Sequence, residues 1–183
     1  MTLTRRYKAV TSAIHTIYRL INSTYDLKNL LLRLARLISQ ILQAQSCAIV
    51  ILDPTQRRIV LRCATRGGAK CIVYRNARIS GRLEKLVLRR SSVVRSKHSI
   101  AVPLIADDLV GIIILRRNKS AQPFDTHDQE ILTTVAEQSV IGIRNLQLYE
   151  EQQKIILGSI KSMVTLFDTR VPNAYAHSRY FSR

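Results

Sequence analysis

The sequence predicts an α+β fold built around a mostly antiparallel sheet. Apolar residues recur at helical spacing near both ends, and the middle holds short apolar or alternating runs. The residues between those runs are few and turn-forming, which favours hairpins over crossover connections. No period of about 20 to 50 residues recurs, so a repeat architecture is excluded.

From Tyr7 to Ile21, Val10, Ile14, Ile17 and Ile21 fall on one helical stripe. The stretch from Asn22 to Asp26 interrupts it, and Asp26 is placed to cap a second helix from Leu27 to about Gln43. Ser46 to Asp53 is almost wholly apolar and reads as a central strand. Arg58 to Ala64 alternates and reads as its partner, with Pro54 to Arg57 as the turn. Gly67-Gly68 leads to a weaker third strand, Lys70 to Tyr74. Ser80 to Arg90 predicts a short helix, and Ser99–Ile105 with Leu109–Leu115 predicts a hairpin about Ala106-Asp107-Asp108. Pro103 lacks a ladder donor, which requires a sheet edge or a bulge. Asp125 to Asp128 can cap the last helix.

That helix is long. Leu132, Ser139, Leu146, Gln153, Ile160 and Phe167 stand seven apart, as do Val135, Gly142, Tyr149, Ile156 and Met163. Two interleaved sets of this kind form a heptad seam, weakened by Ser139, Gly142 and Gln153. Beyond Tyr149 no strand remains to cover Ile156, Ile160 and Met163, so a homodimer is expected, parallel or antiparallel. Its seam would be Leu146, Tyr149, Ile156, Ile160, Met163 and Phe167.

The chain has 183 residues, enough for one domain with a helical extension. An odd, low count of cysteines (Cys47, Cys63, Cys71) argues against a disulfide scaffold and fits a reducing, cytoplasmic setting. The basic, polar start is unlike a signal peptide, and no run approaches the roughly 18 apolar residues of a membrane span. Membrane insertion is therefore not expected.

Three segments resemble the GAF domain family: SCAIVILDPTQRRIVLRCA, AVPLIADDLVGIIILRRNK and PFDTHDQEILTTVAEQSVIGIRN. They follow the family's order of helix, strand pair, variable middle, "VPL…G" hairpin and closing helix, with Asn145 near the end of the pattern. The resemblance covers roughly residues 27–148. It implies a GAF-like antiparallel sheet of five or six strands flanked by N- and C-terminal helices, with a long C-terminal signalling helix and a ligand pocket on one sheet face. Cyclic-nucleotide-binding members carry an Asn-Lys…Phe…Asp-Glu signature. Asn118, Lys119, Phe124 and Asp128 match it, whereas Gln129 replaces the final acid. The bland reading makes Phe124 a core plug and Asp128 an early helical charge. The segment between Gly81 and Val102 is short for the family, which implies a small, open or absent pocket. No cysteine stands where a bilin would attach, and His98 is read as a solvated histidine rather than a haem ligand.

The chain's end resembles the opening of an HD or HD-GYP phosphohydrolase domain: Leu166, Asp168, Arg170, Pro172, His177 and Ser178 fall at matching spacing. The resemblance implies that His177 corresponds to that family's first metal ligand. The chain ends before the histidine-aspartate pair such a site needs, so it reads as a fragment of a longer protein or the product of a prematurely ended gene. The organisation is then an N-terminal helix (1–26), a GAF-like domain (27–148), a signalling helix or linker (149–168) and a truncated HD-type start (169–183).

His15, His98, His127 and His177 lie on separate elements, and no metal, nucleotide or nucleophile motif stands in the required context. No cofactor, metal site or catalytic residue is expected. The charge is +17, and residues 53 to 119 hold sixteen Arg or Lys against four Asp or Glu. Apart from a solvated surface, this surplus fits an anionic partner such as RNA, DNA, an anionic lipid surface or an acidic protein domain, although Tyr74 is the only aromatic interleaved before the hairpin. The candidate binding residues are Arg75, Arg89, Arg90, Arg95, Lys97, Asn118, Lys119, Phe124 and Asp128. The sequence thus reads as a non-catalytic sensory module acting on an HD-type domain. A basic nucleic-acid- or anion-binding module is the alternative.

Overall fold

Asp26 opens the first labelled helix, α1 (Leu27–Ile41), in a computed structural model that describes residues 12, 15–17, 19–21, 23–24, 26–53, 58–65 and 70–170. Its side chain accepts hydrogen bonds from the Lys28 and Asn29 amides at 3.4 and 3.1 Å, satisfying two donors that the first turn leaves orphaned. The apolar stripe of α1 buries Leu27, Leu30, Leu31, Leu34, Ala35 and Ile38. Residues 15–17 and 19–21 are also helical. The HD-like motif lies outside the described residues from position 171 onward.

Six strands form one sheet: β1 (Ser46–Leu52), β2 (Ile59–Ala64), β3 (Lys70–Ala77), β4 (Val94–Ser96), β5 (Ser99–Ile105) and β6 (Leu109–Arg116). Their order is β3-β2-β1-β6-β5-β4, and every pairing is antiparallel. The apolar run predicted as central is central, with β1 between β2 and β6. β4 was not anticipated, because three residues carry no readable period and it exists only through its pairing with Ala101, Ile100 and Ser99. β4 stops opposite Ala101, so Pro103 lies where β5 is a free edge among the described residues.

Alternation assigns the two faces of the sheet. Cys47, Ile49, Ile51, Cys63, Ile113 and Leu115 face α1, which contacts β1, β2 and β3. Val50, Leu52, Ile59, Ala101, Ile112 and Ile114 form a second cluster under the short helix α2 (Arg82–Arg90), where Val87, Leu83, Leu88 and Tyr74 close over them.

The last helix, α3 (Thr126–Arg170), begins with a reciprocal cap. The Asp128 amide donates to Asp125 Oδ1 at 2.7 Å, and the Asp125 amide donates to Asp128 Oδ2 at 3.1 Å. Through Asn145 the helix belongs to the domain and buries Leu132, Val135, Ala136, Val140 and Ile143. Ser139 and Gly142, which weaken the heptad pattern, are buried here. A Cβ at Gly142 would come within 2.5 Å of Ile21 Cγ2, so the glycine admits the N-terminal helical segment at close approach. From Leu146 a second unit begins, in which Tyr149, Ile155, Ile156, Leu157, Ile160, Met163, Leu166 and Phe167 are exposed.

One cysteine expectation is corrected. Cys63 and Cys71 pair directly across β2 and β3 and are joined as a disulfide, leaving Cys47 as the free thiol. An odd count says nothing about two cysteines that a hairpin register sets opposite each other.

Candidate functional site

The roof helix α2 is amphipathic because its sequence, RLEKLVLRR, alternates cations with apolar residues at helical spacing. Arg82, Lys85, Arg89 and Arg90 are exposed, whereas Leu83, Glu84, Val87 and Leu88 turn toward the sheet. Gly81 is its N-cap and Ser91 ends it in the left-handed region at φ 46°. Arg89 and Arg90 occupy the last turn, where positive charge suits the helix dipole.

Glu84 is the unexpected member of this helix. It is only 3% exposed, its carboxylate lies over Gly81, and a Cβ there would collide with it. Its Oε1 is 3.9 Å from the Arg62 guanidinium, and Oε2 has no hydrogen-bond partner. A buried carboxylate in this state depends on Arg62 for its compensation.

Arg62 projects from β2 on the α2 side of the sheet. Beside it lies a notch of about 70 Å³ lined by Ser46, Cys47, Ala48, Arg62, Ala64, Ile114 and Arg116. The register explains the opening: Ala48 stands opposite both Ala64 and Ile114, and Ser46 opposite Arg116. Two alanines and a serine leave the floor low, and the lining includes two arginines.

The anticipated residues are distributed over several places. The side chain of Arg75, on β3, is outside the described set. Arg95, on β4, donates to Thr126 Oγ1 at 3.3 Å, and the Lys97 carbonyl accepts from the Phe124 amide at 2.9 Å. Asn118 closes its own turn by accepting from the Lys119 amide, and Lys119 is exposed. Phe124 is buried, with Arg117 4.1 Å above its ring centroid. Asp128 is paired with Arg117. Arg95, Lys97, Phe124 and Asp128 thus meet at the start of α3, and Arg117, which had not been singled out, organises that corner. His98, expected to be solvated, is half-buried there, and its carbonyl accepts from the Arg117 amide. Asp107 and Asp108 are exposed turn residues, as expected.

Burial pushes the Cys47 thiol up, so it stays protonated and is a poor nucleophile. Among the described residues no group of three or more His, Cys, Asp or Glu is placed to hold a metal ion. No described helix is long and apolar enough to cross a membrane.

An antiparallel six-stranded sheet, helices on both faces and a short roof over one of them define a small α+β domain. Residues 26–145 match the family model of the GAF domain, and the chain belongs to that family. Such domains are typically sensory or regulatory modules.

Among solved structures, the chain is similar to the GAF domain of the Acinetobacter phosphoenolpyruvate-protein phosphotransferase, with 17% identity over 81% of this chain and 97% of that one, and a TM-score of 0.65. It is also similar to the GAF domain/HD domain protein from Geobacter sulfurreducens, at 14% identity over 70% and 98%, TM-score 0.53. A third is the free methionine-R-sulfoxide reductase of Neisseria meningitidis, at 13% over 78% and 93%, TM-score 0.60. At these identities the likeness is one of fold, and the third shows that the fold also carries an enzyme. No curated protein matches the chain at a significant level.

Proposed function

We propose that this chain is a non-catalytic GAF-type sensory module that forms a homodimer and relays ligand or partner binding through α3 to an HD-type phosphohydrolase domain. The observation that carries the reading is the bare apolar run at the end of α3: Tyr149, Ile156, Ile160, Met163 and Phe167 keep heptad spacing and are about half exposed or more, Phe167 reaching 69%. An isolated helix with so many exposed apolar side chains is stabilised by a partner helix. The HD-like spacing from Leu166 to Ser178, and a GAF/HD arrangement in the named Geobacter protein, support the identity of the downstream domain. The relay requires two arrangements of the terminal helices that differ in affinity for the effector. Two aspartates, Ile156→Asp with Ile160→Asp, would put unpaired charge on the seam. Sedimentation at micromolar concentration should show a wild-type dimer and a monomeric variant. A monomeric wild type would sink the reading.

The second reading is a basic nucleic-acid- or anion-binding module, favoured by the outward row Arg82, Lys85, Arg89 and Arg90 on α2. Its discriminating property is a steep salt dependence.

A further inference from the structure

We infer that the notch between Arg62 and Arg116 is a binding site for a small oxyanion, a carboxylate or phosphate group, and that the anion competes with Glu84 of the roof helix for Arg62. The inference deepens the sensory reading by naming the class of ligand.

Three observations carry it. First, the notch has room for a group and not for a large molecule. A volume of about 70 Å³ has space for several waters, and so for one carboxylate or phosphate group. The rest of a ligand would lie outside the notch. Second, the lining chemistry is one-sided. Arg62, Arg116 and Ser46 line it together with Cys47, two alanines and Ile114, and no acidic residue does. Neither guanidinium makes a hydrogen bond to a described residue, and the Arg62–Glu84 separation of 3.9 Å is too long for one. Each planar fork therefore has its parallel N–H pair free for an oxyanion, the geometry in which arginine binds best.

Third, Arg62 faces two ways. It lines the notch and also stands against the buried carboxylate of Glu84, whose second oxygen is unpartnered. An anion that draws Arg62 into the notch leaves Glu84 uncompensated beneath α2. The carboxylate must then turn outward, which disturbs the packing of Leu83, Val87 and Leu88 over Val50 and Ile112. Binding and a tightly closed roof thus oppose each other, and the coupling acts equally in both directions. A ligand at one end of the central strands would in this way be felt by the helix that covers them.

The test uses the full chain labelled with ¹⁵N. Sodium acetate and sodium phosphate are titrated at constant ionic strength, with chloride as the reference. The expected result is a saturable shift of the Ser46–Ala48, Ala64 and Ile114–Arg116 amides with at least one probe, accompanied by shifts in the Leu83–Leu88 amides. Which probe saturates at lower concentration distinguishes a carboxylate from a phosphate ligand. Arg116→Gln should weaken binding by about tenfold, the loss expected for one charge-assisted arginine contact. Glu84→Gln removes the competitor and the like charge, and should tighten binding several-fold. Arg62→Gln should abolish it, and the double variant Arg62→Gln/Glu84→Gln controls for the buried charge that the single variant strands. Shifts no larger than those with chloride, or unchanged affinity in Arg116→Gln, would overturn the site. Unchanged or weaker binding in Glu84→Gln would overturn the competition. A chain that dimerises without a saturable shift refutes the notch alone, whereas a monomer that binds the anion refutes the relay alone.

Discussion

Arg117 and Asp128 are joined by two hydrogen bonds, Nη1 to Oδ2 at 2.8 Å and Nη2 to Oδ1 at 3.1 Å. The same guanidinium donates to the Leu42 carbonyl from Nε and Nη2, at 3.2 and 2.7 Å, and to the carbonyls of Gln122 and Pro123. One side chain at the end of β6 therefore ties the close of α1 to the opening of α3. The two side chains are 11% and 17% exposed, so the pair is largely desolvated and multiply hydrogen-bonded. Such a pair is costly to break from one side.

Arg117→Ala should accordingly lower stability by about 2–4 kcal/mol, since it strands Asp128 and the Leu42 carbonyl together. Arg117→Lys should recover less than half of the loss, because an ammonium keeps the charge without the fork. Urea denaturation followed by far-UV circular dichroism measures both, and an effect within experimental error for the alanine variant would refute the assigned role.

At Gly142 the close approach of Ile21 leaves no room for a branched side chain. Gly142→Val should destabilise the chain by about 1–3 kcal/mol through overpacking, and Ile21→Ala in the same chain should restore part of it. Non-additivity in that cycle is the result to look for. Strict additivity would mean that the two residues do not touch.

Cys47 should resist alkylation. Its thiol is fully buried and its ionisation is pushed up from 9.0, so iodoacetamide at pH 8 should label it only after denaturation. The sign of the pH effect follows from the same shift. The stabilisation is fully present below the unfolded thiol's value and is lost above it, where the unfolded state alone releases its proton. Wild type and Cys47→Ala should therefore differ in the slope of stability against pH from about pH 9 upward. Parallel slopes there would contradict the burial.

The basic face of α2 makes its own demand. If Arg82, Lys85, Arg89 and Arg90 engage duplex phosphates, log K should fall with log salt at a slope of about −3.6, so affinity drops by about two orders of magnitude between 50 and 200 mM salt. Fluorescence anisotropy at three salt concentrations measures it. The expected outcome is weak binding that vanishes by about 150 mM, as any strongly basic surface shows. Submicromolar binding at that salt, lost when Arg89 and Arg90 become Glu, would instead establish the nucleic-acid reading.

What the sequence disclosed and withheld divides along sequence separation. Asp26, Asp125 and Asp128 were legible as caps because a capping side chain serves amides two or three residues away. The central strand and the β5–β6 hairpin were legible from unbroken apolar runs around a turn. Arg117 was not, because its defining acceptor, the Leu42 carbonyl, lies 75 residues away, and no local pattern marks it. Its following a long apolar strand was the only hint. The Cys63–Cys71 pairing and the placing of Ser46, Arg62 and Arg116 on one sheet face depend on strand register, which fixes opposition only once the sheet is assembled. Glu84 read as one acid in a basic helix, since inward and outward positions of so short a segment are settled by what lies beneath it.

Beyond Ala101, β5 has no further strand beside it among the described residues, and the residue met there is Pro103, with no N–H to offer. β4 in turn is three residues long and carries Arg95 at its centre. An extended peptide approaching this border would find too few bonding groups to register against and a positive charge in its path. Growth of the sheet by strand addition, the route by which open β-edges recruit other chains or aggregate, is thereby blocked on this side.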